Sequence, residues 1–343
     1  MSIIGLDLGN TSFRALELDR KKNEIIIEKA GIYESSKLNF DSDAKEDIDA
    51  YASALKDFFS ESGFTTPYVS IGLDERYTYM RIIKLPQMND KDLKNAVNFE
   101  AEQYIPLPLN EVNVSFQRLD VDYADKAKIN VQIVAAQKII LDKHIEILKK
   151  AHLIPKAIEP ETLALGRALG DTIDNPSGSL VLDLGFSRTI VIICYGGFVR
   201  FTRDIPIGGD VITRAIQQNL KLDYNQAEEY KKTYGLDKSQ ADGKVYDVIK
   251  PHVDNIIGEI QRAEIFFTKQ QPNASIKRVI LTGGTAQMPG LLLYIASKLD
   301  NEVEAANPFK EIKFSPRILQ QDPKFMDRGP IFSTALGLGL KEV

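Results

Sequence analysis

Two short stretches of this 343-residue chain carry the same chemistry-bearing pattern, Leu6-Asp7-Leu8-Gly9 and Leu182-Asp183-Leu184-Gly185. In each, an apolar strand delivers one carboxylate to a turn, and the glycine lets backbone N–H groups approach an anion closely. The first turn continues Asn10-Thr11-Ser12 and leads to Arg14; the second continues Phe186-Ser187-Arg188 and leads to Thr189. Hydroxyls of Thr11, Ser12 and Ser187 add donors for phosphate oxygens, and Arg14 offers a cation to a β- or γ-phosphate. Two carboxylates facing one another across a cleft suit Mg2+, which keeps its waters and binds through one or two acids plus phosphate oxygens. A single Asp-x-Gly is an ordinary hairpin turn. Two in register, each followed by the same strand order, favour a phosphate and metal site with Asp7 and Asp183 holding the metal through water. A third stretch, Thr282-Gly283-Gly284-Thr285-Ala286, follows a strand, and its paired glycines let backbone lie against a flat ring or a phosphate; alone it is a common strand-to-helix connection. No Ser/His/Asp grouping can be assembled, and His144, His152 and His252 lack ligand spacing and read as surface or partly buried helix positions. Cys194 lies in an apolar strand and reads as a small core residue.

The elements that must position these residues repeat as well. The two Asp-x-Gly turns lie 176 residues apart, about half the chain, a period too long for a solenoid and suited to duplicated domains. Each copy reads strand, tight turn, strand, turn, strand: residues 3–6, 14–18 and 24–28, then 179–182, 189–194 and 198–203. Helical spacing marks 47–60, 90–104 (capped by Asn89 or Asp90 and stopped by Pro106 and Pro108), 140–151, 211–219, 225–234, 244–268, 289–299 and 330–341. Further strands are expected at 66–71, 77–85, 112–121, 129–135 and 278–281, and the class is α/β. Residues 170–178, with Pro176, read as the hinge between halves.

Composition agrees with a two-domain globular chain: 43% of residues are hydrophobic, and glycine (22) and proline (15) are too few for a low-complexity chain. The balance of 43 Lys+Arg against 48 Asp+Glu, net −5 with no basic block, argues against a generic nucleic-acid binder. One cysteine excludes an internal disulfide and a multi-cysteine metal site, as expected in a reducing compartment. The acid at position 7 interrupts any signal-peptide core, and the apolar runs are strand-sized. A cytoplasmic protein without direct membrane insertion is expected.

Taken together, the three motifs resemble those of the actin/Hsp70/FtsA and sugar-kinase ATPase superfamily, where the Asp-x-Gly turns are the two phosphate motifs and Thr-Gly-Gly-x-Ala is the adenosine motif. The resemblance runs over nearly the whole chain. It implies a two-lobed actin-like (duplicated ribonuclease-H-like) fold that binds ATP or ADP with Mg2+ between the lobes, contacted by Gly9, Asn10, Thr11, Ser12, Arg14, Gly185, Phe186, Ser187, Arg188, Gly283, Gly284 and Thr285. Ala227-Glu228-x-x-Lys231 matches the ribose and adenine contacts of the prokaryotic relatives; on spacing alone Glu228 and Lys231 are equally a solvated charged face. A closer resemblance, to the PilM family of type IV pilus assembly, is carried by Glu100-Ala101-Glu102-Gln103-Tyr104-Ile105-Pro106-Leu107-Pro108. Ala135-Ala136-Gln137-Lys138, Ile158-Glu159-Pro160 and Ile205-Pro206-Ile207-Gly208-Gly209-Asp210 also fit it, which brings Gly208 and Gly209 to the nucleotide.

That resemblance implies a first lobe at 1–175 with an FtsA-like inserted subdomain 1C at about 80–155, and a second lobe at 176–343 with subdomain 2B at about 210–275. The last helix, 330–341, would return toward the first lobe. It also implies a partner: the short cytoplasmic N-terminal tail of a PilN-like inner-membrane protein, lying between subdomains 1A and 1C and holding the chain at the membrane. The stretch 79–85 with the helix 93–104 is the expected groove wall. Departures concern catalysis. Arg14 stands where relatives often have lysine, keeping charge but not geometry. Glu159 stands at the position resembling the water-orienting glutamine of actin, where it could orient water as a base or simply cap structure near Pro160. At most a slow ATPase is expected. An FtsA-like division actin and a small-molecule kinase of the sugar-kinase branch are the alternatives. The first would usually add a membrane-binding helix after the last motif, and the second needs a base carboxylate that the sequence does not nominate.

Overall fold

The computed structural model describes residues 2–9, 12–22, 24–35, 38, 40–121, 126–170, 177–272 and 274–343. Its first stretch runs β1 (Ile3–Leu8), β2 (Ser12–Lys21), β3 (Glu24–Glu34), α1 (Lys45–Ser62) and β4 (Tyr68–Leu73). Next come β5 (Thr78–Pro86), α2 (Asp90–Tyr104), β6 (Val112–Val121), β7 (Lys128–Gln137), α3 (Lys138–Lys150), β8 (Ile154–Pro160) and α4 (Glu161–Leu169). The second half holds β9 (Gly178–Leu184), β10 (Thr189–Tyr195), β11 (Phe198–Ile205), α5 (Gly209–Leu220), α6 (Tyr224–Tyr234) and α7 (Lys244–Gln270). It closes with β12 (Ile276–Thr282), α8 (Leu291–Ala296), β13 (Glu302–Ala305), β14 (Lys313–Phe314), α9 (Pro316–Gln321) and α10 (Gly329–Leu340).

Two sheets share one plan. The first has the order β14-β3-β2-β1-β4-β8 and the second β11-β10-β9-β12-β13. In both, a three-strand antiparallel meander meets two parallel strands: β1 pairs antiparallel with β2 and parallel with β4, and β9 does the same with β10 and β12. The repeat seen in the tetrapeptides is therefore a repeat of topology. Every residue of β1 is buried, and all but one of β9, because helices cover both faces of each sheet.

A third sheet, β5-β7-β6, is inserted between β4 and α3 and spans residues 78–137. On β7 the side chains alternate, as the pleat requires. Val131, Ile133 and Ala135 join Leu93, Val97 and Ala101 of α2 in a closed core, while Gln132, Val134 and Ala136 face the opposite way. The side chain of Asn89 caps α2, accepting from the N–H of Asp92 at 3.0 Å.

The chain finally returns to its beginning. Phe309, Ile318, Phe325 and Phe332 pack with Ile3, Leu16, Leu18 and Ile27 in the first lobe. There α10 lies directly on β1 and α4, because both contacts are made at glycines; a Cβ on Gly337 would sit 1.9 Å from the carbonyl oxygen of Ala164, and one on Gly5 of β1 would sit 1.8 Å from that of Ala335. The helices expected at 47–60, 90–104, 140–151 and 330–341 are present within two residues at each end. The one expected at 289–299 is shortened to α8, since Gly290 takes a positive φ of 75° ahead of its first turn. Within the expected hinge, residues 171–176 lie outside the described residues.

Candidate functional site

The two Asp-x-Gly turns are built alike. The N–H of Gly9 donates to the Ser12 carbonyl at 2.9 Å, and the N–H of Gly185 donates to the Arg188 carbonyl at 2.9 Å. Both turns open onto one cleft of about 950 Å3 between the lobes, lined by Asp7, Gly9, Ser12 and Arg14 from one side and Asp183, Gly185, Phe186, Ser187 and Arg188 from the other. Asn10 and Thr11 lie outside the described residues. The strand register sets a difference in charge: Arg14 stands opposite Asp7 on β2, with Nη1 3.4 Å from Oδ2, whereas Ile190 stands opposite Asp183 on β10.

The second-lobe wall is tied together by backbone. Gly185 O accepts from the N–H of Gly209 at 3.0 Å and from the hydroxyl of Thr285 at 3.1 Å. Gly283, at φ 85°, lets the 283–285 loop press on the Asp183 turn; a Cβ there would lie 2.5 Å from Asp183 Oδ1. Gly209, Gly283, Gly284 and Thr285 line the cleft, while Gly208 backs the second turn from behind, packed on Phe186 and Arg188 backbone. Glu228 and Lys231 also line it, and they are no solvated face. Lys231 is buried and its ammonium donates to Glu228 Oε2 at 2.6 Å, Thr213 Oγ1 at 2.8 Å and the Gly209 carbonyl at 3.1 Å. Burial lowers the Lys231 pKa despite the Glu228 contact. For Glu228, burial pushes up, but the hydrogen bonds from Lys231 and Thr213 prevail and its pKa falls.

The acids on the cleft floor lie close together, Asp7 buried and Asp183 and Glu161 half-buried. Burial raises Asp7, partly offset by Arg14. Asp183 is pushed up to about 6 by burial and then by the charge of Asp7, so the two carboxylates do sense one another across the cleft. A third acid, Glu161 at the start of α4, lies beside them; burial, then the charges of Asp7, Asp74 and Asp183, hold its pKa well above the usual range. Gly72 leaves the space it fills, since a Cβ there would be 2.6 Å from Glu161 Cγ. Sequence reasoning missed Glu161 and named Glu159 instead. Glu159, buried on β8, does not line this cleft; Arg167 binds both its oxygens at 2.6 and 2.9 Å, and Lys341 adds a contact at 2.9 Å. Only Pro160 separates them, and the strand-to-helix turn there sends them to different sites. His144 is also corrected: it is buried against Phe40 on the cleft wall, and burial holds its pKa down at about 4.

These residues suit a Mg-nucleotide. Among the described residues no three His, Cys, Asp or Glu are arranged to hold a metal by themselves, so an ion here needs water and phosphate oxygens as partners. The desolvated acids need added positive charge, and the Nε atoms of Arg14 and Arg188 are buried without a hydrogen-bond partner.

A second cavity, a groove of about 650 Å3, runs between the inserted sheet and the first lobe. Its walls are Asn113, Ser115 and Gln117 of β6 and Val134 and Ala136 of β7, which share one face of the sheet, with Leu141 and Ile145 of α3, Leu163 of α4 and Phe198 and Val199 of β11; Glu159, Arg167 and Lys341 form a polar station. This differs from the expected wall. The interface of β5 with α2 is filled by Ile83, Leu85, Leu93, Val97 and Ala101, which leaves no groove between them.

No helix among the described residues is long and apolar enough to cross a membrane. Known proteins give three kinds of likeness. The profile of a family described as type IV pilus assembly protein PilM matches residues 5–343. A solved structure described as the PilM–PilN type IV pilus biogenesis complex superposes with a TM-score of 0.85 at 26% identity, covering 99% of this chain and 98% of that one. A structure of MreB5 of Spiroplasma citri bound to AMPPNP shares the fold, with a TM-score of 0.53 at 13% identity over 99% of this chain and 95% of the other. Among curated relatives, the cell division protein FtsA of Bacillus subtilis is 22% identical over 89% of this chain and 78% of its own length. FtsA of Neisseria meningitidis is 25% identical over 61% of this chain, an alignment that spans about half (53%) of that relative. The duplicated sheets, the paired turns and the inserted three-stranded sheet thus coincide with one family description across almost every residue: the chain belongs to the PilM family of type IV pilus assembly proteins, within the actin-like fold.

Proposed function

We propose that the chain is a nucleotide-binding scaffold of the type IV pilus inner-membrane assembly platform. It takes Mg-ATP or Mg-ADP between its lobes and the extended N-terminal tail of a PilN-like membrane protein in the groove beside the inserted sheet. The pairing of two matched Asp-x-Gly turns across one cleft carries the nucleotide half of this reading. Asp7 and Asp183 would hold Mg2+ through water, and the metal would neutralise phosphate charge. The turn N–H groups with Ser12 and Ser187 would bind phosphates, Arg14 would add a cation, and Glu228, Lys231 and the 283–285 loop would seat the nucleoside. Glu161, not Glu159, is the acid beside the metal turns and is the carboxylate we assign to positioning water. A glutamate in place of an orienting glutamine is the ground for expecting slow turnover, below the ~1 s⁻¹ typical of working kinases and ATPases. A steady-state rate above that value for the purified chain would overturn the scaffold reading.

The partner half rests on the groove and on the family's likeness to a PilM–PilN complex. An extended peptide would bind through backbone hydrogen bonds, with apolar side chains between Val134, Ile145 and Leu163. With no membrane-crossing helix described in this chain, the partner would supply its place at the inner membrane, on the cytoplasmic side. A tail that binds only the folded state adds about 2.7 kcal/mol of apparent stability at a hundred times its Kd. Thermal-shift titration with the tail of the neighbouring membrane protein tests this: Ile145→Ala, in the groove wall, should blunt the shift, and Tyr104→Ala, on the far side of the sheet, should not. Equal shifts from native and scrambled tails would remove the partner.

A further inference from the structure

Three consecutive residues of the first lobe, Asp74, Glu75 and Arg76, cap and begin a short helical turn (Glu75–Tyr77) between β4 and β5 that sequence reasoning passed over. The turn is locked in its own lobe. Asp74 Oδ1 accepts from the Arg76 N–H at 2.9 Å, Arg76 reaches Asp41 at 3.1 Å, and Glu75 Oε2 accepts from Thr162 Oγ1 of α4 at 3.0 Å. It also grips the second lobe twice. Glu75 Oε1 accepts from the hydroxyl of Thr202 on β11, and Asp74 Oδ1 lies 3.6 Å from Nη1 of Arg188, the last residue of the second phosphate turn.

These two contacts differ in kind. The Glu75–Thr202 bond is away from the cleft lining, with the carboxylate enclosed between two hydroxyls. The Asp74–Arg188 pair is longer and both partners line the cleft, so a bound anion can reach it. Arg188 is held in its own lobe by Asp204 whatever Asp74 does, and its Nε has no partner.

We propose that residues 74–76 are a clasp between the lobes, with Glu75–Thr202 as its fixed pin and Arg188 as its switch, drawn from Asp74 by the phosphates of a nucleotide. The ligand class rests on the nucleotide reading above; the clasp does not. A nucleotide phosphate carries more charge than one carboxylate, so it competes for the guanidinium, and Asp204 confines the swing. Nucleotide binding would then be read out as the loss of one interlobe contact while the pin keeps the lobes in register.

Calorimetry of Mg-ATP with the full chain separates the outcomes. Asp74→Asn removes the competitor and should tighten binding about fivefold, the scale of one partly exposed ion pair. Arg188→Gln should weaken it, and the double variant should match Arg188→Gln alone. Unchanged or weaker binding by Asp74→Asn, or a fivefold gain that survives in the double variant, would overturn the switch. A second arm uses no nucleotide: resonance energy transfer between labels on α1 and α8 should report a broader interlobe distance in Asp74→Asn with Thr202→Val. An unchanged distance would overturn the clasp. Wild-type protein that binds no Mg-nucleotide would refute the nucleotide reading and the switch, while this arm still decides the clasp.

Discussion

The turn at Asp7 and the turn at Asp183 have the same backbone and opposite electrostatic settings. Each glycine N–H closes the same three-residue span, yet one carboxylate faces Arg14 across the sheet and the other faces Ile190. Duplication thus kept the geometry that presents N–H groups to phosphate while the flanking strands diverged. The first turn has a built-in cation. The second leaves Asp183 to burial and to the charge of Asp7, which raises it to about 6. The division of labour this suggests is that Asp7 has a cation of its own across the strand pair, while Asp183 depends on the metal.

The strongest test of that division compares removal of either acid. Asp183→Ala should weaken Mg-ATP binding about 100-fold, a few kcal/mol, with an unchanged circular dichroism spectrum. Asp7→Ala also releases Arg14 toward the phosphates and should lose only about tenfold. Equal losses by calorimetry would erase the distinction. Arg14→Ile, which gives the first turn the residue found opposite the second, should weaken binding about tenfold while Arg14→Lys retains most of it; parity of the two variants would mean that packing rather than charge matters there.

A smaller effect appears in stability without ligand. Asp183 titrates higher in the folded chain (about 6) than its ordinary value of 3.8. Below pH 3.8 it is protonated in both states and adds no penalty; as pH rises through about 6 the folded state takes on the full penalty. Asp183→Asn should therefore be more stable than wild type by about 1–2 kcal/mol at pH 7, on the transition of the second lobe, and the gap should close by pH 4. The buried His144 acts in the opposite sense. Its folded pKa is about 4, so its contribution is present above 6.5 and lost as pH falls, equally in both proteins. A gap independent of pH would mean that Asp183 is not carrying the penalty. Mg2+ should narrow it.

Much of this was legible in residue order because it is local. The repeated tetrapeptide, the helical spacing of α2 and α10 and the glycines at 283 and 284 each announce themselves within a dozen residues. What was not legible depends on where a turn points. The helix α4 is nine residues long with Gly166 inside it, too short for periodicity to show, and with it went Glu161. Glu159 was preferred on position alone, and nothing in the sequence shows that Arg167 and Lys341 enclose it. The acid-base triplet at 74–76 has no periodic pattern either; its meaning comes from Arg188 and Thr202, more than a hundred positions later. The cavity beside β7 was not foreseen because strand alternation identifies two faces of a sheet without telling which one the helix covers.

The return of residues 309–336 to the first lobe has a consequence for how the chain is made. The strands of the second sheet all fall between Gly178 and Ala305, so that lobe has its whole sheet before synthesis is finished. The first lobe starts emerging much earlier, yet β3 waits for β14, and Leu16, Leu18 and Ile27 wait for Phe309, Phe325 and Phe332. On a ribosome adding about 5–20 residues each second, those apolar strands spend many seconds without their cover. The half that begins first is the half completed last, and its exposed face is where chaperones would be expected to act during biogenesis.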